Sequence, residues 1–446
     1  MDMGHDVFVI GYGPYTGNKE KVYDSVPYIS FRKKSNNRII RAFYRVNFGS
    51  RVATYIKKHH QDFNCLLVVD ILPNAFKTIE KLAQERNALL IHDSVEWYSP
   101  EEFENREKNR AYKNKEYTNL IAINKKWRVI AISKYLENHF SSRCSKVVRI
   151  PVIMDVNNMK SIVTHNNKKK QFVYAGAPSR KDYLREMIYG FRQLSSDERN
   201  GVEFHVIGVN ENQLISICGV EKSCIDDLEG TLFVHGRVSR DEALKWVQNA
   251  DFTMLIRDES LRYAKAGFPT KIVESLSSGT PVVCNISSDL GEYLEDGKNA
   301  FIINGHSVES IAATIRKIIP LKTDSLDIMR KEARKTAEKY FDYRQYYKDY
   351  YKIDFDDEYE VHHIDFDRNN NDINNLLLLP KHLHTKYHKL YPYIQSIIDD
   401  RTLKAVIDIN NGTTYYFDEI KSFCEIMIEI NHWKLQKVER YCNFNK

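Results

Sequence analysis

The sequence predicts an α/β protein: two doubly wound lobes in tandem, then a small α+β module. Three observations carry this reading. Apolar runs of strand length alternate with amphipathic helical stretches from residue 5 to about residue 340. The alternation is broken once, by the polar stretch "VNNMKSIVTHNNKKKQ" at 156–171. Beyond residue 354 the pattern changes, and five of the fifteen histidines crowd between Tyr359 and Leu390.

In chain order, "HDVFVIGYG" (5–13) reads as a strand ending in glycines. "NCLLVVDIL" (64–72) and "NALLIHD" (87–93) are continuous apolar runs suited to a parallel sheet covered on both faces. "AFKTIEKLAQERN" (75–87) has helical periodicity, and "WRVIAIS" (127–133) leads from a strand into the helix "KYLENHF". These elements place a first domain at 1–155 and a linker at 156–171. A second domain over 172–353 repeats the pattern with strands "FVYAGA", "VEFHVIG", "LFVHGRV", "FTMLI" and "TPVVCN". Its helices include "RDEALKWVQNA", "PTKIVESLSSG" and the long charged "TDSLDIMRKEARKTAEKYF". The remainder divides into a module at 354–393 and an α+β tail at 394–446.

Composition narrows the function classes. Hydrophobic content of 42% and charged content of 28% fit a globular chain. Seven scattered cysteines with no C-x-x-C pair indicate neither a disulfide framework nor a cysteine zinc site. No apolar run reaches the roughly 18 residues of a membrane span, and no signal peptide opens the chain. The expectation is a cytoplasmic protein, with the inner face of the membrane as a peripheral location. Residues 351–446 carry 12 Lys+Arg against 16 Asp+Glu, and residues 1–350 carry 54 against 44. The basic excess therefore sits in the front part, where it favours phosphates or anionic lipid. An ordinary solvated surface is the plainer account of such charge.

Four stretches then carry a resemblance. "VIAISKYLENHF…KVVRIPVIMD" (129–155), "YAGAPSRKDYL" (174–184), "LFVHGRVSRDEALKWVQNAD" (232–251) and "FPTKIVESLSSGTPVVCN…GEYLEDGKNAFII" (268–303) resemble the retaining, GT-B-fold glycosyltransferases of family 4, of the capsule and surface-polysaccharide type. The resemblance covers about residues 5–353 and implies two Rossmann-like domains around a nucleotide-sugar cleft. It implies a hexosyltransferase acting on a polysaccharide or lipid-linked acceptor. The donor-binding residues it implies are Gly176, Arg180, Lys181, Pro269, Thr270, Lys271 and Glu274, with His92 near the transferred sugar. The chemistry suits these types. A diphosphate leaving group needs cations and free helix N–H groups, and glycine admits close backbone approach. Taken singly, Lys181, Glu274 and His92 also read as a solvated lysine, a helix-surface carboxylate and a satisfied strand-end histidine.

The chain departs from the family pattern in three places. Ala266 stands where the first glutamate of the Glu-x7-Glu pair belongs, and Ala177 where an arginine follows the glycine; Arg180 is close enough to substitute. The opening "MDMGHDVFVIG" matches a later strand of the family, so one strand and one helix of the first sheet are expected to be absent. That would uncover an apolar face.

The rear segment reads as strand ("YEVHHID"), polar loop, strand ("LLLL") and helix ("KHLHTKYHKLY"). His384 and His388 are four apart on one helical face, a spacing that suits a divalent metal. "VHHID", "NNDINNL" and H-x3-H together resemble the HNH nucleases with their ββα-metal fold. The resemblance implies His363 as general base, His362, His384 and His388 as metal ligands, Asn375 as the residue that orients the loop, and Mg, Mn or Zn as the ion. Its partner would be DNA. A structural metal site, or a histidine-rich surface helix, is the plainer reading. The alternative for the whole chain is a metal-dependent endonuclease carrying a truncated, inactive transferase body.

Overall fold

A computed structural model describes residues 7–14, 16, 19–23, 26–32, 35–60, 62–159, 169–177 and 181–346, together with five strands at 359–363, 376–380, 394–399, 402–408 and 413–416. Two compact units result: residues 35–346, and residues 1–34 with 347–446.

In the smaller unit, strands β1 (Val9–Pro14), β2 (Lys21–Tyr23) and β3 (Val26–Arg32) form a sheet of order β1-β3-β2. The predicted opening strand is thus present. It pairs in parallel with β3 and does not join the sheet of the first lobe, as its sequence had suggested.

The larger unit begins with helices α1 (Arg38–Val46) and α2 (Phe48–His59). A parallel sheet follows, β4 (Cys65–Val68), β5 (Leu89–Ser94), β6 (Arg128–Ala131) and β7 (Lys146–Arg149), in the order β4-β5-β6-β7. Its connections carry α3 (Phe76–Arg86), α4 (Arg110–Tyr117) and α5 (Lys134–Ser141). Each follows from local chemistry. Asn87 ends α3 in the left-handed conformation at φ 51°, which asparagine tolerates better than most residues. Ser133 caps α5, its hydroxyl accepting from Leu136 N. Cys65 pairs with Leu89 and Leu67 with Ile91, and on this face Leu67 is 56% exposed and Leu89 41%. Val68, Leu90 and His92 on the other face are buried.

The second lobe is built on six parallel strands: β8 (Lys170–Ala175), β9 (Val202–Ile207), β10 (Leu232–Val234), β11 (Phe252–Leu255), β12 (Val282–Cys284) and β13 (Ala300–Ile302). Their order is β10-β9-β8-β11-β12-β13. Counted within the sheet, this is 3-2-1-4-5-6, the doubly wound order whose ligands bind where the winding reverses. The helices are α6 (Leu184–Arg192), α7 (Ser196–Asn200), α8 (Glu211–Ser216), α9 (Lys222–Asp227), α10 (Arg240–Asn249), α11 (Arg262–Ala266), α12 (Thr270–Ser277), α13 (Val308–Ile318) and α14 (Thr323–Tyr340). The core is a ring stack: Phe191 lies 4.6 Å from Phe204 and 5.3 Å from Phe172, which is 5.7 Å from Phe252. All four are fully buried.

Later in the chain, β14 (Tyr359–His363) and β15 (Leu376–Pro380) form an antiparallel pair with His362 opposite Leu377 and His363 opposite Leu376. Both predicted strands are present, while the loop predicted between them lies outside the described residues. β16 (Ile394–Asp399), β17 (Thr402–Asp408) and β18 (Thr413–Tyr416) make an antiparallel meander. Asn375, His384 and His388 lie outside the described residues, as does Arg180.

Candidate functional site

The reversal point of the six-stranded sheet lies between β8 and β11. β8 runs out at Ala175 into Gly176, β11 into Arg257 and Asp258, and α12 starts alongside at Thr270. Gly176 leaves the room through which Lys271 passes. A Cβ there would sit 2.4 Å from Lys271 Cε and 2.5 Å from its Nζ. Gly208 backs it with φ +103°, and a Cβ at that position would meet Gly176 O at 2.5 Å.

Lys271 crosses over Gly176 and donates to Asp182 Oδ2 at 2.5 Å and to Tyr174 Oη at 3.1 Å. Asp182 also accepts from Arg257 Nε at 3.0 Å and Tyr174 Oη at 2.9 Å. Burial pushes the Asp182 carboxyl up, but the Lys271 and Arg257 cations override this and hold it at about 2. Burial pushes Lys271 down, against the pull of Asp182. The result is a buried carboxylate with two cations and a phenol aimed at it. Sequence reading found Lys271 but missed Asp182 and Arg257. The signals were an acid directly after Lys181 and an arginine at the end of a buried strand.

Glu274 is half-buried on α12, and Arg240 Nη2 stands 3.7 Å from it. Burial raises its carboxyl, and Arg240 opposes that. Pro269 is buried just before the helix, and Thr270 opens the helix exposed. Gly176, Lys271 and the start of α12 are therefore gathered at one place.

Lys181 is differently placed. Its Nζ lies 2.7 Å from Glu102 Oε1 and 3.4 Å from Glu96 Oε2, both on the loop after β5 in the first lobe. The rings of Tyr98 and Tyr263 flank it at 5.2 and 5.8 Å. Glu102 Oε2 accepts from Ser99 N at 2.6 Å, and burial raises the Glu102 carboxyl against the pull of Lys181. The predicted donor lysine is thus held by carboxylates of the opposing lobe. Further bonds lie close by, on this loop, on α4 and within the second lobe. Arg262 donates to Glu116 Oε1 at 2.6 Å, Tyr263 N to Ser99 Oγ at 3.0 Å, and Tyr263 Oη to Lys181 O at 2.6 Å. Ala266, at the position of the missing glutamate, is fully buried, and its carbonyl accepts from Ser133 Oγ at 2.7 Å. Arg149 adds a bridge to Asp289 and Glu292 at 3.0 and 2.8 Å.

His92 is fully enclosed. Its Nδ1 is 3.0 Å from Val68 O, its ring meets the Phe140 ring edge-on, and Nε2 has no partner among the described residues. Burial, with the nearby Lys115 ammonium, drives it down to about 3, so it is neutral. The structure does not bring it to an open face. The polar group at that strand end is Asp93, raised by burial and opposed by Lys115, whose Nζ pairs with Asp70 Oδ1 at 2.8 Å. Among the described residues, one group has metal-ligand spacing: Asp258, Glu259 and His306, with ligand atoms within 4.8 Å of one another. Two of its carboxylates are already used, accepting from Tyr183 Oη and Asn285 Nδ2 at 3.1 and 2.6 Å.

Residues 155–339 match the family described as "Glycosyl transferases group 1". Solved structures share the fold. Sucrose-phosphate synthase from Thermosynechococcus elongatus aligns with TM-score 0.59 at 11% identity, over 78% of this chain and 89% of that one. HepE of Anabaena, solved with UDP and glucose, gives 0.54 at 15%, over 74% and 87%. WaaG, a glycosyltransferase involved in lipopolysaccharide biosynthesis, gives 0.55 at 14%, over 79% and 92%. No curated protein sequence matches the chain. The match takes in residues 155–339, less than half of the chain, and over that span the α/β fold is similar to the glycosyl transferases group 1 family.

Proposed function

We propose that the protein transfers a sugar from a nucleotide-sugar donor to a polysaccharide or lipid-linked acceptor. The observation that carries this is the family match lying on a 3-2-1-4-5-6 sheet whose reversal point holds Gly176, Lys271 and the start of α12. Lys271 and Arg257 supply positive charge for the diphosphate as the glycosidic bond breaks, and the first-turn N–H groups of α12 receive its oxygens. Lys181 adds a third cation once released from Glu96 and Glu102. Glu274 accepts from the ribose hydroxyls. No carboxylate stands at Ala266, so contact with the sugar hydroxyls falls to other groups. A UDP-sugar is the first donor to test, because HepE is solved with UDP-glucose.

The test is calorimetric binding of UDP to the full chain, followed by UDP release from a panel of UDP-sugars with an oligosaccharide acceptor. The expected result is saturable binding that Lys271→Ala abolishes. Absence of binding to every nucleoside diphosphate tried would overturn the proposal.

The antiparallel β14–β15 pair favours a second reading for the rear of the chain: a metal-dependent HNH nuclease module acting on DNA, with His363 as base and His362 as a ligand. A divalent ion would supply charge stabilisation at the scissile phosphate. Plasmid nicking with Mg²⁺, Mn²⁺ or Zn²⁺ tests it, and equal nicking by wild type and His363→Ala would remove it.

A further inference from the structure

Helix α1 does the reverse of what an amphipathic helix does in a globular protein. Such helices turn their apolar stripe to the core. At 100° per residue, Ile39, Phe43 and Val46 share one face of α1, and Arg38, Arg41 and Arg45 share the opposite one. Yet none of its nine residues is buried, and Ile39, Phe43 and Val46 are 79%, 61% and 66% exposed. The next helix, α2, is the control. It buries Phe48, Gly49, Val52, Ala53 and Ile56, and Gly49 admits Ala75 so closely that a Cβ there would lie 2.8 Å from Ala75 Cα. α1 is nevertheless a built element. Asn37 caps it, accepting from Ile39 N at 2.8 Å, and Asn74 Nδ2 donates to the carbonyl of Val46 at 2.6 Å.

The charge around α1 is one-sided. Between Ser25 and Gln61 the sequence holds nine Lys or Arg and no Asp or Glu. Among the described residues, Arg38, Arg41 and Arg45 form no salt bridge. An exposed apolar face with an arginine face behind it, on an acid-free stretch, has the composition of a helix that lies in a membrane interface. Its apolar side chains enter the acyl boundary, and the arginines reach lipid phosphates. A nucleic acid would use the arginines and leave Phe43 and Ile39 in water, so the apolar face decides between the two.

We propose that α1 docks the protein on an anionic lipid surface. The contact goes beyond the transferase reading and does not depend on it, although it would hold the chain beside a lipid-linked acceptor.

Co-sedimentation of the full chain with vesicles tests it, because binding is read without any turnover. Wild type should pellet with vesicles containing phosphatidylglycerol, much less with pure phosphatidylcholine, and less again at high salt. Arg41→Gln should lower the partition coefficient about fivefold, the equivalent of about 1 kcal/mol for one cation near the surface. Ile39→Ser with Phe43→Ser should abolish pelleting while leaving the circular dichroism and UDP binding unchanged, since both side chains are exposed. Failure of wild type to pellet with anionic vesicles overturns the proposal, as does pelleting that the double variant retains. A concentration-dependent dimer that Phe43→Ser abolishes would assign the face to a second copy and overturn it as well. So would tight, salt-sensitive DNA binding that Arg41→Gln weakens and the serine pair leaves intact.

Discussion

The two parallel sheets of the larger unit are made of the same kinds of residue and are finished differently. In the six-stranded sheet the central β11 and β12 are buried along their whole length, and the Phe172, Phe191, Phe204 and Phe252 stack fills the space between strand and helix layers. In the four-stranded sheet one face of β4 and β5 leaves Leu67 and Leu89 in solvent. The difference teaches where the lobes draw their stability. The second is held by its own core. The first is held in part by polar ties to the second: Lys181 to Glu102, Arg262 to Glu116, and Arg149 to Asp289 and Glu292.

The sharpest way to break that contrast is a pair of truncations. Phe204→Ala removes a fully buried ring stacked on Phe191 and should cost roughly 3–5 kcal/mol, cavity term included. Leu67→Ala removes a side chain already more than half in water and should cost below about 1 kcal/mol. Denaturant midpoints measured by circular dichroism on the full chain decide it. Equal shifts would mean that the face of β4 and β5 is covered in solution.

Acid should separate the lobes next, through two residues of opposite design. His92 in the first lobe is held near 3 by burial, against about 6.5 when unfolded. Between those values the unfolded chain binds a proton that the folded lobe refuses. Stability therefore falls as pH drops below about 6.5, by on the order of 4 kcal/mol in all by pH 3. Asp182 in the second lobe is held near 2 by Lys271 and Arg257, below its unfolded value. Its contribution is intact above about pH 4 and is lost between about 4 and 2, by about 2 kcal/mol. Urea midpoints against pH should lose the upper slope in His92→Gln and the lower one in Asp182→Asn. Unchanged slopes would refute the assignment.

Legibility in the sequence followed the same division. The strands of the second lobe were readable because buried parallel strands are continuous apolar runs, and "FVYAGA", "VEFHVIG" and "FTMLI" appear as β8, β9 and β11. The short β13 was not read as a strand. β2 and β3 were missed because "KVY" is only three residues long and the proline in "VPYISFR" demotes that run as a strand. At the site, Gly176 and Lys271 were readable through the resemblance. Asp182 and the Glu96–Glu102 loop were not, since nothing local tells a carboxylate that neutralises a cation across a cleft from one that faces water.

The last and smallest prediction concerns that cleft. Glu102 and Glu96 occupy donors of the Lys181 ammonium and offset its charge, so a diphosphate has to compete with both for it. Glu102 is tied into the backbone through Ser99, so replacing it disturbs the loop as well as the ion pair. Glu96 meets Lys181 at the longer distance, in a partly exposed pair, and is the cleaner probe. Such pairs are worth up to about 1 kcal/mol, so Glu96→Gln should tighten UDP binding by up to about fivefold, with little change in the denaturation midpoint. Weaker binding in the variant would mean that Glu96 aims Lys181 at the donor. Unchanged binding would mean that Lys181 stays with the first lobe throughout, leaving Lys271 and Arg257 alone to meet the diphosphate and making the tie between the lobes permanent.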